Sequence, residues 1–212
     1  MTEKKLPKNI SIFPLPNVVF FPGTILPLNI FEKRYIQLVN DCMKKQRLFG
    51  IVQPKKKFEK NSELYKVGCL GKVVNFNETS DNRFVISVSG LIRFRIKGEI
   101  NTEKLYRKFS VDYSEYTQDL KPIKKEIINY DKNKILIKIK LLFKKLNYSV
   151  ELDELMKLNF DQLVNTICMI SPFSNEEKQK LIEVVKIEDK VKSLEEIINF
   201  NLASNQQNKT IQ

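Results

Sequence analysis

The chain of 212 residues contains no histidine and no tryptophan. Without an imidazole, the HExxH zincin motif and the Ser-His-Asp triad are excluded, and with them most general-base catalysis near neutral pH. Cysteine is sparse. Cys42, Cys69 and Cys168 stand far apart, odd in number and without a CxxC pair, so neither a disulfide framework nor a zinc site has the spacing it needs. They read as buried, reduced thiols of a cytoplasmic protein. Long apolar runs are missing too: Pro, Gly or Lys interrupts each one well short of the roughly 18 residues that a membrane span needs. The N-terminus, MTEKKLPKN, is charged and no apolar h-region follows, so no secretory signal is expected. No cofactor and no metal is expected.

Arginine is scarce, with 6 residues against 31 lysines, although the formal net charge is +12. That charge fits an acidic partner such as nucleic acid. It fits equally a compositional drift toward Lys, Asn, Ile and Phe, as an AT-rich coding sequence would give. Specific readers of phosphates and bases lean on arginine, which weighs toward drift. The stretch GCLGK at 68–72 has neither the spacing of a phosphate loop nor a Ser or Thr after its lysine, and it leads into a β-rich run. Acidic pairs such as Glu176–Glu177 and Glu195–Glu196 fall on solvated helix surfaces. No constellation for chemistry emerges, and the sequence reads as a binding protein without enzymatic activity.

Hydrophobic residues make up 42% of the chain, enough for a real core in one large domain or two small ones. The most apolar segment, FPLPNVVFFPGTILPLNIFEKRY at 13–35, carries Pro14, Pro16, Pro22 and Pro27. Each proline removes an N–H and clashes one turn back, so a continuous helix is excluded. Pro22-Gly23 marks a turn, which leaves two kinked strands, ISIFPLPNVVF and TILPLNIF. A helix is expected over 32–46, with Tyr35, Ile36, Val39, Cys42 and Met43 on one face. A strand over 47–52 and a polar loop over 54–63 follow.

From Leu64 the hydrophobic period is two. Tyr65, Val67 and Cys69 alternate, ETSDNR at 78–83 makes a hairpin connection, and Phe84, Ile86 and Val88 return. Ile92, Phe94 and Ile96 then face one way and Arg93, Arg95 and Lys97 the other. That cationic row reads as the wet side of a half-buried sheet or as a nucleic-acid platform. Phe109, Val111 and Tyr113 give a last strand. Beyond Pro122 the period becomes helical. Residues 134–146, KILIKIKLLFKKL, form an amphipathic basic helix, a pattern shared by membrane-surface helices and by bundle helices with one buried face. Capping patterns start helices at Asn159 and Ser174. The expected fold is α+β: a β-rich unit at 1–118, a helical unit at 119–200 and a polar, disordered tail at 201–212.

The ordered series FPLPNVVFFPG, LPLNIFEKRY, FGIV, VGCLGKVV, the hairpin and GLIRFRI resembles the N-terminal substrate-binding domain of the Lon ATP-dependent proteases. LVNTIC and SPFSNEEKQKLIEV resemble that family's helical half, so the likeness spans roughly residues 8–200. It implies a PUA-like β pseudobarrel joined to a helical bundle. Free-standing members often read LPLHIFEPRY, where Asn29 and Lys33 stand here. No Walker A or peptidase motif occurs in the chain, so the resemblance is to a stand-alone domain without the ATPase and peptidase modules.

Two functions are expected. The first is a non-enzymatic module that binds exposed apolar or unfolded polypeptide, as an adaptor or accessory to proteolysis or protein quality control, self-associating or docking on a protease or other larger assembly. Its candidate contacts are Phe20, Phe21 and Pro22 at a strand tip and Phe31, Arg34 and Tyr35 at the helix entry. The alternative is an RNA- or nucleic-acid-binding PUA-like module.

Overall fold

The structure is a computed structural model and describes residues 6–56, 62–121, 131–148 and 152–204. The centre of the 54–63 loop, Pro122 and the tail from 205 onward lie outside the described residues. The chain divides into two compact units, Met1–Pro122 and Ile123–Gln212. The fold is α+β.

In the first unit six strands form one sheet. They are β1 (Asn9–Pro14), β2 (Ile25–Ile30), β3 (Leu48–Val52), β4 (Val67–Glu78), β5 (Phe84–Ile100) and β6 (Lys108–Asp112), in the order β2-β5-β4-β3-β1-β6. A further pairing of β5 with β6 joins the sheet back on itself, so β1, β3, β4, β5 and β6 close a small barrel. All pairs are antiparallel except β1 with β3. Period two decides what fills it: Ile12, Phe49, Ile51, Cys69, Ile92, Phe94, Phe109 and Val111 are all buried. Helix α1 (Lys33–Met43) buries Tyr35, Leu38, Val39 and Cys42.

The proline-rich stretch is only partly sheet. Strand β1 ends at Pro14, and residues 15–24 fold as an irregular plug before β2. Gly23 turns the chain at φ 73, and its N–H bonds to the Gly90 carbonyl at 2.9 Å while the Gly90 N–H bonds to the Thr24 carbonyl at 2.9 Å. The Thr24 hydroxyl donates to the Phe21 carbonyl at 2.7 Å. This closure draws Phe20 and Phe21 inward, to 1% and 0% exposure. The backbone comes so near β5 that a Cβ on Gly90 would lie 2.2 Å from the Phe21 oxygen. Glycines 68 and 71 of the GCLGK stretch have the same packing role. Added Cβ atoms there would lie 2.5 Å from Val52 Cγ2 and 2.3 Å from Val88 Cγ1.

A 3-10 helix, Ser114–Leu120, follows β6. It belongs with the barrel, because Asp119 pairs with Arg93 of β5. The expected division at 118/119 cuts through this helix; the observed one falls at 122/123.

The second unit holds α2 (Lys132–Lys145), α3 (Leu152–Lys157), α4 (Phe160–Ile170), α5 (Asn175–Glu183) and α6 (Ile187–Ser204). Among its described residues there is no strand. Ile135, Ile139, Leu142 and Phe143 of α2 are buried, together with Leu163, Val164 and Ile167 of α4 and Val191, Leu194 and Ile198 of α6. Ser174 and Glu177 form a reciprocal capping box, and the Asn159 side chain accepts from the Gln162 N–H at 2.9 Å. Residues 201–204, expected as tail, continue α6.

Candidate functional site

Strand β2 pairs with β5 alone among the described residues, so one of its edges is open. The Gly90 N–H to Thr24 carbonyl bond fixes which groups lie there. Antiparallel pairs alternate between bonded and non-bonded. Leu26, Leu28 and Ile30 therefore exchange bonds with Val88, Ile86 and Phe84, and the backbone groups of Ile25, Pro27 and Asn29 point to the open side. Pro27, which has no N–H to offer, sits where a ladder bond is not needed.

Side chains alternate on the same period. Leu26 and Ile30 enter the core while Ile25, Pro27, Asn29 and Phe31 face outward. Ile25 is 60% exposed and Phe31 62%. Beside them on β5 stand Val85, Ser87 and Ser89, and on β4 Val74, Asn75 and Asn77. This outer face carries no charged side chain between Lys72 at one end and Arg83 at the other, in a chain where 29% of residues are charged. Arg83 lies 5.9 Å from the Phe31 ring centroid and is held by Asp81 at 2.9 Å.

The six residues expected at the site separate. Phe31 and Arg34 lie at the junction of β2 and α1, Phe31 exposed and Arg34 half-buried, its guanidinium 2.8 Å from Glu32 and over the Tyr35 ring. Tyr35 is buried against Phe13, with ring centroids 4.1 Å apart, and burial pushes its phenol pKa up. Phe20, Phe21 and Pro22 are not a strand tip. They are buried in the plug, because the turn at Gly23 folds back onto Gly90 instead of projecting from the sheet. Sequence reasoning missed Ile25, Pro27 and Val85. The signal was the stretch TILPLNIF, whose apolar residues occupy both parities, so that one barrel core cannot absorb both faces.

The cationic row on β5 is also not a free platform. Arg93 is 2% exposed, and its Nε and Nη2 donate to the two Asp119 carboxylate oxygens at 2.9 and 2.8 Å. Arg95 makes the same paired contact with Glu115 at 2.8 and 2.7 Å, and Lys97 lies 3.2 Å from Asp112. Each cation meets one carboxylate from Asp112 or the 3-10 helix.

One open pocket of about 370 Å³ lies among β1, α1 and β6, lined in part by Asp41, Cys42, Tyr106 and Lys108. The Tyr106 hydroxyl donates to Asp41 at 2.8 Å, and Lys104 sits 3.0 Å from the same carboxylate. Lys104 and Tyr106 hold Asp41 below its ordinary pKa, while burial pushes the Cys42 thiol up to about 12. A suppressed carboxylate base and a protonated thiol make a poor pair for nucleophilic chemistry. Among the described residues no group of three His, Cys, Asp or Glu side chains is placed to hold a metal, and no helix is long and apolar enough to cross a membrane.

Residues 9–199 match the family model of the ATP-dependent protease La (LON) substrate-binding domain. The chain belongs to the Lon substrate-binding domain family. Its relatives include Lon protease 2 of Myxococcus xanthus, 27% identical over 203 residues, and the Lon protease of Anaeromyxobacter dehalogenans, 26% identical over 203 residues. Each match covers 94% of this chain and 24% of the relative, so the chain spans about a quarter of the length of these Lon proteases. The fold is shared with the Lon N-terminal domain protein of Xanthomonas campestris, with a TM-score of 0.62 at 17% identity over 88% of this chain and 96% of that one. It is shared as well with the N-terminal domain of the Mycobacterium avium complex Lon protease, with a TM-score of 0.63 at 15% identity over 91% and 98%.

Proposed function

We propose that this Lon-family domain is a non-enzymatic module that binds exposed apolar segments of unfolded polypeptide, as an adaptor or accessory to proteolysis or protein quality control in the cytoplasm. The observation that carries the reading is the uncharged outer face of the β2–β5–β4 finger, with Ile25, Phe31 and Val85 exposed beside an open strand edge. Family membership supports it, since the matching family is described as substrate-binding. So does the ion-paired β5 row, which weakens one of the features that favoured nucleic acid, while the net charge of +12 stands.

The chemistry suits an extended client. Such a chain carries unpaired backbone donors and acceptors and exposed apolar side chains. The open edge supplies carbonyls at Ile25, Pro27 and Asn29 and donors at Ile25 and Asn29, and the outer face supplies apolar contact at little desolvation cost. Arg34 and Arg83 stand at the Phe31 end, each already paired with a carboxylate, Glu32 and Asp81, so they add little net charge to the face.

The test is titration of a reduced, unfolded model protein against wild type, Ile25→Ser/Phe31→Ser and Phe20→Ser/Phe21→Ser, with circular dichroism on each. The surface pair should fold and bind at least tenfold more weakly. The plug pair should fail to fold. Undiminished binding by the folded Ile25→Ser/Phe31→Ser protein would place the client elsewhere.

A further inference from the structure

We infer that the outward face of α2 is a second docking surface, shaped for an acidic amphipathic helix of a partner protein. Helix α2 turns Ile135, Leu136, Ile139, Leu142 and Phe143 into its own unit. On the opposite pole Ile137 and Leu141, four residues apart and therefore stacked on one face, are 60% and 54% exposed. Lys140 and Lys144 flank this pair on one side and Lys134 on the other, all exposed.

The helix's lysines fall into two groups. Lys132 donates to the Leu158 carbonyl at 2.6 Å, Lys138 to Glu195 at 2.8 Å, and Lys145 to the Leu202 carbonyl. These three hold the bundle together. Lys134, Lys140 and Lys144 have no carboxylate partner among the described residues, and α2 itself contains no acidic residue. The arrangement costs stability inside the fold. Lys140 and Lys144 are a like-charged pair at i,i+4, and Lys134 sits near the positive end of the helix dipole. Among the described residues these terms are offset only in part, by the N-cap carboxylate of Asp131 at the Lys134 end and by the place of Lys144 in the last turn, and the exposed Ile137–Leu141 pair adds apolar surface left in water. A partner helix with an apolar i,i+4 seam bordered by Glu or Asp would offset all three.

A membrane surface fits less well. Interfacial helices bury a wide apolar face in the lipid, and the wide apolar face of α2 is occupied by its own unit. Two side chains remain outward, enough for a seam between helices.

The probe is a synthetic helix with leucines along an i,i+4 seam flanked by glutamates, titrated into the isotope-labelled full chain. A scrambled peptide of the same composition and vesicles of phosphatidylserine and phosphatidylcholine serve as comparisons. On wild type, amide shifts should concentrate on α2 around 134–144. Ile137→Ser/Leu141→Ser and Lys140→Glu/Lys144→Glu, all surface changes, should each weaken binding at least tenfold, and the charge-reversed variant should prefer a lysine-flanked peptide. Equal binding of the scrambled peptide, unchanged binding by the serine variant, or shifts elsewhere in the chain would overturn the inference. Vesicle binding that is lost in the serine variant without any peptide binding would assign the face to lipid, and self-association lost in that variant would assign it to a second copy; either result also overturns it.

Discussion

Arg93 and Asp119 make a bidentate pair sealed from water, the guanidinium 2% and the carboxylate side chain 8% exposed. The Arg93 N–H adds a third bond to the same carboxylate at 3.0 Å, and the guanidinium lies 4.5 Å from the Tyr116 ring centroid. This unit ties the 3-10 helix to β5. Removing one member of a buried pair leaves an uncompensated charge, at a cost of about 3–5 kcal/mol. Asp119→Ala should therefore destabilise the barrel unit by that amount in urea unfolding followed by tyrosine fluorescence. The double change Arg93→Met/Asp119→Leu should recover most of the loss, because it removes both charges and keeps apolar volume. Equal losses in the single and double variants would mean that the pair is not the staple.

Gly90 sets how closely the plug can approach β5. A Cβ there would meet the Phe21 oxygen at 2.2 Å and the Phe21 carbonyl carbon at 3.0 Å, both backbone atoms that cannot rotate away. Gly90→Ala should cost at least the ~1–3 kcal/mol typical of overpacking, and amide exchange should rise at Gly23, Thr24 and Gly90. Gly98→Ala is the control. Its added Cβ meets only the Ser110 hydroxyl at 3.7 Å, so the loss there should stay near ~0.5 kcal/mol or below.

How much of this was legible from sequence depends on whether a feature was local. Strands β4 and β5 follow from alternation, and the Ser174 capping box from spacing. The burial of Phe20 and Phe21 does not follow, because a Pro-Gly turn looks the same whether it projects or folds back, and the deciding contact is with Gly90, about 70 residues on. The alternation of Arg93, Arg95 and Lys97 correctly placed them opposite Ile92, Phe94 and Ile96. Parity could not tell whether water or a helix covers that side, since the covering Asp119 belongs to another element. The open edge of β2 needed the topology, though the two-sided apolar pattern of TILPLNIF hinted at it.

Burial pushes the thiols of Cys42 and Cys168 up to about 12, and Cys69 is raised further in the same direction for the same reason. In the unfolded chain these thiols ionise near pH ~8.5. A group whose pKa is raised in the fold contributes stability that is complete below its unfolded value and is lost as pH climbs toward its folded one. Stability should therefore hold level across pH 6–8, where the chain has no histidine to titrate, and decline above about pH 9. The slope should steepen above ~10, where unfolded tyrosines ionise while Tyr35 and Tyr106 are held protonated by burial. Replacing Cys168 with Ala should flatten the decline. At pH 8 a thiol reagent should leave the folded protein unmodified and label all three cysteines in urea.

On the function proposed above, the outer face of the β2 finger would set the strength and character of client binding. Ile25, Phe31 and Val85 are 60%, 62% and 45% exposed, so a client can bury only part of each. At ~1.5–3 kcal/mol for full burial of such a side chain, the three together yield roughly 3–5 kcal/mol. Burial on the client's side and a few backbone bonds add to this, and association costs about 4–15 kcal/mol. The balance corresponds to micromolar to millimolar affinity for a single domain. Because the face lacks charge, that affinity should change less than about twofold between ~50 and ~500 mM salt, whereas lysine–phosphate binding would fall steeply over the same range. Joining two copies through a dimeric coiled coil should tighten binding to an unfolded protein with several apolar segments by about 10²–10⁴-fold, provided both sites can reach it. Fluorescence anisotropy with a labelled, reduced model protein measures all three quantities. Nanomolar binding by the monomer would mean a larger contact than this face offers, and a steep salt dependence would shift the client to the lysine-rich surface.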